Sequence, residues 1–159
     1  MPEPIFDLNT VRSISSELLK AGNYRAFLLF QLGTGTPYEL NTLMSLKVKD
    51  LVQRNIQFYL EKNIPENVEK WLKTLNDQES LFGESDYQEI EQTARDCGLE
   101  DFDRETMRKT FGYNYFHKTK DIRQVERALD MKPETVTFKY IGYYDETYFC
   151  FYCTKGCLW

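Results

Sequence analysis

The chain has 159 residues and a net charge of −5, with 42% hydrophobic and 15% aromatic residues. This length and composition are typical of one folded domain with its own core, and they exclude a disordered chain. No apolar run reaches the ~18 residues of a membrane span and no secretory signal opens the sequence, so we expect a cytoplasmic protein without membrane contact and with free thiols.

The beginning of the chain predicts two helices. Residues 7–21 have the apolar spacing of an amphipathic helix, and Gly22 marks its end. Residues 24–32 are apolar on nearly every side, which is typical of a buried helix. We therefore expect residues 24–32 to form a buried helix.

A third helix and a strand are predicted next. In the run Thr36-Pro37-Tyr38-Glu39, Thr36 is a candidate N-cap and Glu39 has the spacing of the second member of a capping box. The helix would run to about Leu46. Residues 55–60 (NIQFYL) alternate apolar and polar side chains and predict a short strand.

The second half of the chain predicts helices over residues 65–75, 85–97, 103–118, 121–130 and 133–141. Ser85 and Gln88 have the spacing of a capping box, whereas Asp103 and Asp121 are candidate N-caps. With no repeat and no flexible linker in the sequence, the predicted fold class is mainly α with a small β element, in a single domain over residues 1–159.

Charge is unevenly distributed along the chain. Residues 61–101 contain twelve acidic and four basic residues, a net charge of −8, whereas residues 103–139 contain nine basic and six acidic residues, a net charge of +3. The overall negative charge opposes DNA binding, because that binding is largely electrostatic. The basic segment is where an anionic partner would bind, and the alternative is that both segments are ordinary solvated helix faces.

The basic segment carries the most specific pattern in the sequence. Residues 104–142, with the motifs RKTFGYNYF and TFKYIGY (the second ends at Tyr143), resemble the C-terminal half of the tyrosine recombinase (phage integrase) catalytic domain. That family has His-x-x-Arg, then a His or Trp, then a nucleophilic Tyr. Arg108 and Tyr140 stand at the arginine and nucleophile positions, whereas Glu105 and Met131 stand at the other two. The resemblance implies an integrase catalytic-domain-like fold, here without the family's N-terminal core-binding domain.

A second segment extends the resemblance. Residues 25–51 are similar to the family's opening segment, and Leu46, Val48 and Asp50 fit its end. The family's first catalytic arginine falls on Glu39. The family's catalytic lysine lies on a β-hairpin that is shortened or missing here, and Lys62 is the nearest lysine.

These replacements predict a protein that is not an enzyme. In the family, attack on a DNA phosphate builds negative charge that two arginines stabilise, while lysine and histidine move protons. Glu39 and Glu105 would place carboxylates in that position, where they repel phosphate.

Each residue at a family position also has a structural interpretation. Glu39 fits a capping box, and Glu105 favours the positive end of a helix. Arg108 is either a buried ion-pair partner of one of these carboxylates or a phosphate contact. Tyr140 is a packed tyrosine, and Met131 fills the core.

The leading hypothesis is a catalytically inactive tyrosine-recombinase-like protein that binds double-stranded DNA as a regulator of a phage or mobile element. Its candidate DNA contacts are Arg108, Arg123, Arg127, Lys132 and Lys139. The first alternative is an acidic protein-interaction module that has lost DNA binding. A second is a residual enzyme that uses Arg108 and Tyr140.

The end of the chain allows two further hypotheses. Its aromatic side chains, which provide a possible surface for a protein partner or for self-association, are Tyr148, Phe149, Phe151, Tyr152 and Trp159. The cysteines at the end would hold zinc only if Cys97 or the single histidine, His117, completed the set, so we predict no metal site and no cofactor. These cysteines are Cys150, Cys153 and Cys157.

Overall fold

The computed structural model describes residues 2–53, 56 and 64–143, and within these ranges the chain is mainly helical, as predicted. The helices in these ranges are α1 (Leu8–Lys20), α2 (Tyr24–Gly35), α3 (Leu40–Met44), α4 (Val48–Gln53), α5 (Glu66–Lys73), α6 (Glu84–Asp96), α7 (Thr106–Thr119), α8 (Ile122–Leu129) and α9 (Glu134–Tyr140). None of them is both long and apolar enough to cross a membrane.

Short polar side chains begin several helices where the sequence predicts them. The carboxylate of Asp7 accepts a hydrogen bond from the Asn9 amide at 2.9 Å, and that of Asp121 accepts one from the Arg123 amide at 3.0 Å. Each bond satisfies an amide that has no partner within its own helix. The predicted starts of α1 and α8 are therefore confirmed.

The predicted helix start at Thr36 is wrong. Thr36 ends α2 instead, because its hydroxyl donates to the Leu32 carbonyl at 2.5 Å and thereby satisfies the preceding helix. Glu39 is the extended residue before α3, and its side chain makes no capping hydrogen bond. The capping-box interpretation of Glu39 is therefore also wrong.

The predicted capping box at Ser85 lies two residues too late. The α6 helix begins at Glu84, and the carboxylate of Asp86 accepts a hydrogen bond from the Gly83 amide at 2.8 Å. The sequence patterns also miss α4, a short helix that begins where the Asp50 carboxylate accepts from the Lys47 amide at 2.8 Å.

The predicted strand over residues 55–60 falls almost entirely outside the described residues. Ile56, which is described, is buried and has helical backbone, so it gives the strand no support. Within the described ranges, β pairing is limited to one antiparallel bridge between Lys47 and Ser80. The small β element is therefore not confirmed.

The main core forms around α2, which packs against α1, α3, α6 and α7. Four consecutive α2 residues, Phe27, Leu28, Leu29 and Phe30, are at most 3% exposed. The prediction that this segment is buried on nearly every side is confirmed. A smaller second core joins the end of α7 to α8 and α9, and it consists of Phe116, Ile122, Val125, Leu129, Phe138 and Ile141.

The α7 helix belongs to both cores and touches its neighbours closely at two glycines. A Cβ atom at Gly33 of α2 would lie 2.6 Å from the Met107 sulfur, and one at Gly112 of α7 would lie 2.5 Å from Cγ2 of Ile141. Both distances are shorter than van der Waals contact, so a methyl group at either position would force the packed Met107 or Ile141 side chain to move. The helix that carries Arg108 is thus held firmly on two sides.

Candidate functional site

Four side chains from two helices meet at the start of α7. Glu105, Arg108 and Lys109 come from the first turn of α7 or directly before it, and Tyr140 is the last residue of α9. The Tyr140 hydroxyl donates to Glu105 Oε2 at 2.5 Å, and Cζ of Arg108 lies 6.0 Å from the Tyr140 ring centroid. Arg108 and Tyr140, the two residues that match family positions, therefore lie side by side.

Asp103 makes the capping hydrogen bonds at the start of α7, so the Glu105 side chain is not needed for them. Asp103 Oδ1 accepts from the amides of Glu105 at 2.8 Å and Thr106 at 3.1 Å, so Asp103 supplies the cap of α7. Glu105 lies just before the helix, and its carboxylate turns toward Tyr140. The Tyr140 contact, which joins residues 35 positions apart, thus adds a tertiary role to the local one expected for Glu105.

Arg108 binds backbone carbonyls rather than a carboxylate. Its Nε donates to the Pro37 carbonyl at 2.9 Å and its Nη2 to the Leu129 carbonyl at 2.8 Å. Leu129 ends α8, where a carbonyl lacks an intrahelical partner and a positive charge is favourable. No ion pair among the described residues joins Arg108 to Glu39 or Glu105, so the ion-pair interpretation is wrong.

The environment of Tyr140 favours the neutral phenol. Burial raises the pKa of the Tyr140 hydroxyl, and the hydrogen bond to Glu105 and the charge of that carboxylate raise it further. Arg108 acts in the opposite direction but does not reverse the shift. At neutral pH the hydroxyl therefore keeps its proton.

Lys109 is a site residue that the sequence analysis missed. It is 4% exposed, its ammonium donates to the Pro2 carbonyl at 2.8 Å, and it lies 5.3 Å from the Tyr140 ring centroid. A charged side chain is rarely buried without a specific role. Lys109 follows Glu105 by four residues, so the two side chains lie on the same helix face. This spacing is the sequence feature from which Lys109 could have been predicted as a site residue.

The other two residues at family positions, Glu39 and Met131, make no described contact with these four side chains. Glu39 is exposed directly before α3, two residues after the carbonyl that binds Arg108. Met131 is half-buried against the second core, as expected of a packing residue.

A basic surface lies on α8, on α9 and between them. We define it by the four residues predicted to contact DNA: Arg123, Arg127, Lys132 and Lys139. All four are exposed, as expected from the sequence. The side chain of Arg123 is 81% exposed and lies 3.7 Å from the Glu134 carboxylate, a contact that contributes little stability in water.

Glu126 of α8 provides a pH-dependent prediction. Its Oε1 is buried without a hydrogen-bond partner, and burial together with the nearby charge of Glu134 raises its pKa above 4.5. A raised carboxyl pKa means that the ionised form destabilises the folded state. Glu126→Gln should therefore raise the free energy of unfolding at pH 7 by up to about 1 kcal/mol.

Urea unfolding at several pH values tests this prediction, with Glu89→Gln on the exposed face of α6 as the control. The gain from Glu126→Gln should shrink as the pH falls through 4.5, since the wild-type carboxyl is then neutral in both states. A gain that is absent at pH 7, or that persists unchanged in acid, would contradict the prediction.

Several predicted features fall outside the described residues. These are Lys62, the three cysteines at the end of the sequence and the aromatic tail. Cys97 is described and is a half-buried free thiol. Among the described residues, no group of three or more His, Cys, Asp or Glu side chains is arranged to hold a metal ion.

Comparison with known proteins supports the resemblance described above. No protein-family model and no solved structure matches the chain. A curated relative, the probable integrase/recombinase YoeC of Bacillus subtilis (strain 168), is 26% identical over 91% of this chain and 92% of its own length. Similarity across nearly the whole of both chains supports the integrase/recombinase family for this protein.

Proposed function

We propose that this protein is a catalytically inactive, recombinase-like protein that binds duplex DNA as a regulator of a phage or mobile element. The observation that carries the proposal is the hydrogen bond from the Tyr140 hydroxyl to the Glu105 carboxylate at 2.5 Å. The residue that matches the family's nucleophile is thus bound to a carboxylate, and a carboxylate beside it would repel the phosphate that the family cuts.

Electrostatics argue against cutting at this site. At an effective dielectric constant of about 20, two like unit charges 4 Å apart repel by about 4 kcal/mol. Loss of one group that stabilises developing negative charge typically adds about 3–4 kcal/mol to a barrier. Together these effects correspond to a rate reduction of about 10⁵-fold.

The protonation of Tyr140 and the hydrogen bonds of Arg108 also argue against cutting. Attack by a phenol requires loss of its proton, which the raised pKa of Tyr140 opposes. Arg108 already donates from Nε and Nη2 to backbone carbonyls, so these two nitrogens are not available for a bidentate contact with a phosphate.

DNA remains the favoured partner because of the basic surface and the family resemblance. Arg123, Arg127, Lys132 and Lys139 are exposed and close together along the chain. The resemblance to recombinases implies a domain that grips duplex DNA through backbone phosphates. Such contacts need exposed cations, and they do not need an intact catalytic set.

The test of inactivity is the absence of a covalent intermediate. The protein, incubated with a nicked suicide duplex and with supercoiled plasmid, should form no covalent adduct and cause no relaxation. Tyr140→Phe is the matched control and should behave like the wild-type protein, since it differs by one hydroxyl. An adduct that forms with Tyr140 present and disappears in Tyr140→Phe would refute the proposal.

The same samples distinguish the acidic interaction module. In α5 and α6, part of the acidic charge is already paired within the helix, as in Lys70–Glu66 at 2.8 Å and Arg95–Glu91 at 2.5 Å. This pairing favours solvated helix faces over an acidic docking surface. A wild-type protein that retards no duplex at low salt would favour the module instead.

A further inference from the structure

The segment that precedes α1 crosses the candidate site. We call residues 2–7 the strap. Within the described residues, two hydrogen bonds join the strap to α7: the Ile5 amide donates to the Thr110 hydroxyl at 2.9 Å, and the Lys109 ammonium donates to the Pro2 carbonyl at 2.8 Å. The strap thus contacts a cation that also faces Tyr140.

The strap also touches the backbone that follows Tyr140. A Cβ atom at Gly142 would lie 2.9 Å from Cδ of Pro4 and 3.0 Å from Cζ of Phe6. Gly142 has a φ of +73°. The close approach of the strap and this backbone conformation both require glycine.

The opposite side of the strap faces open space. Residues 3–7 border an open cavity of about 560 Å³, whose other wall is formed by residues 98–102 with Thr106. Phe6 stacks edge-on against Tyr113 at 5.0 Å but remains 42% exposed. The strap is therefore anchored in the main core through Ile5, which is 2% exposed, and is bordered by open space along its other edge.

We propose that the strap is an autoinhibitory element. Lys109 is only 4% exposed and its ammonium is bound by the Pro2 carbonyl of the strap. A DNA phosphate can reach that ammonium only when the strap has left, so strap docking and phosphate binding beside Tyr140 exclude each other. A phosphate oxygen carries a full charge and makes the stronger hydrogen bond to an ammonium. The exposed carboxylates of Glu3 and Asp7 on the strap also repel phosphate. This inference rests on the proposed function, because DNA supplies the phosphate.

Two glycines provide a matched pair of variants for testing the strap. Gly142→Ala places a methyl group against Pro4 and Phe6, whereas a Cβ at Gly22 meets nothing within 4 Å. Gly22 has a φ of +74°, so Gly22→Ala carries the same backbone strain without the collision. Any difference between the two variants therefore reports the effect of displacing the strap.

The first measurement is hydrogen exchange at the Ile5 amide. We expect exchange about tenfold faster in Gly142→Ala than in Gly22→Ala, the factor equivalent to one lost hydrogen bond. If Gly142→Ala fails to fold, Thr110→Val replaces it, because this variant removes the acceptor of the Ile5 amide and leaves Gly142 intact. Equal exchange in the strap variant and in Gly22→Ala would overturn the proposal.

The second measurement is binding of a short mixed-sequence duplex and of inorganic phosphate. We expect Gly142→Ala to bind the duplex about tenfold more tightly than Gly22→Ala, since docking of the strap no longer competes. Adding Lys109→Met to Gly142→Ala should remove that gain. Equal duplex affinity in both glycine variants would overturn the strap while leaving the proposed function intact.

The remaining outcomes separate the two proposals. Phosphate that accelerates Ile5 exchange in the wild-type protein, with no duplex retarded by any variant, would support the strap and refute DNA binding. A duplex retarded by the wild-type protein, and bound about tenfold more tightly by Gly142→Ala, would support both. Binding of neither probe by any variant would refute both.

Discussion

Charge reversal of the basic surface is expected to lower duplex affinity by about a thousandfold or more. Changing Arg123, Arg127, Lys132 and Lys139 to Glu removes four phosphate contacts and adds four repulsions, each worth on the order of 1 kcal/mol or less. The slope of log affinity against log salt should also fall by about 3 to 4, which corresponds to four counterions no longer released. Duplex titration at several salt concentrations measures both effects.

A control with the same net charge makes this result specific. The set Lys20, Lys47, Lys70 and Lys73 is exposed and lies on other helices or loops, so its reversal to Glu changes net charge equally. This control should retain most of the affinity. Equal losses in the two quadruple variants would indicate a general charge effect and would remove α8 and α9 as the DNA contact.

Arg108→Met is expected to lower the free energy of unfolding by about 3 kcal/mol, since two hydrogen bonds from a charged group are lost together. The carbonyls of Pro37 and Leu129, which the guanidinium now binds at 2.9 and 2.8 Å, would be left without this donor. Arg108→Lys should recover less than half of the loss, because an ammonium does not reproduce the planar fork. Urea unfolding provides the measurement.

Arg104→Met, at the same end of α7, is the matched control for this variant. Arg104 pairs with Glu84 at 2.7 Å, but both side chains are about half exposed, 47% and 55%. An exposed pair of this kind contributes at most about 1 kcal/mol. If Arg108→Met lowers the free energy of unfolding no more than Arg104→Met does, the hydrogen bonds from Arg108 to the Pro37 and Leu129 carbonyls contribute little. The Arg108 guanidinium would then be available to a ligand.

The helices that sequence patterns locate best are those whose ends are decided locally. Asp7 and Asp121 each bond an amide two residues away, so the pattern contains both partners. Thr36 is harder, because its hydroxyl can serve either the helix before it or the helix after it. The preceding carbonyl binds that hydroxyl here, and no local rule decides between the two.

The contacts of the candidate site cannot be derived from local patterns. Arg108 reaches a carbonyl 71 residues away, and Lys109 reaches one 107 residues away. The resemblance to recombinases brings Arg108 and Tyr140 together because the family provides their relationship. It says nothing about Lys109 and the strap, and therefore this part of the site emerges only from the three-dimensional structure.

Under the proposed function, the two close glycine contacts of α7 determine how much of the scaffold a design for cutting activity would have to change. At Gly33 and Gly112, neighbouring elements approach so closely that a methyl group would collide. The spacing of α2 from α7, and of α7 from the residue that follows α9, is therefore set by glycine backbone packed against the Met107 and Ile141 side chains. We expect Glu39→Arg and Glu105→His to leave both contacts intact, because neither residue takes part in them. Such a design would change side-chain chemistry on a backbone that already holds Arg108 beside Tyr140.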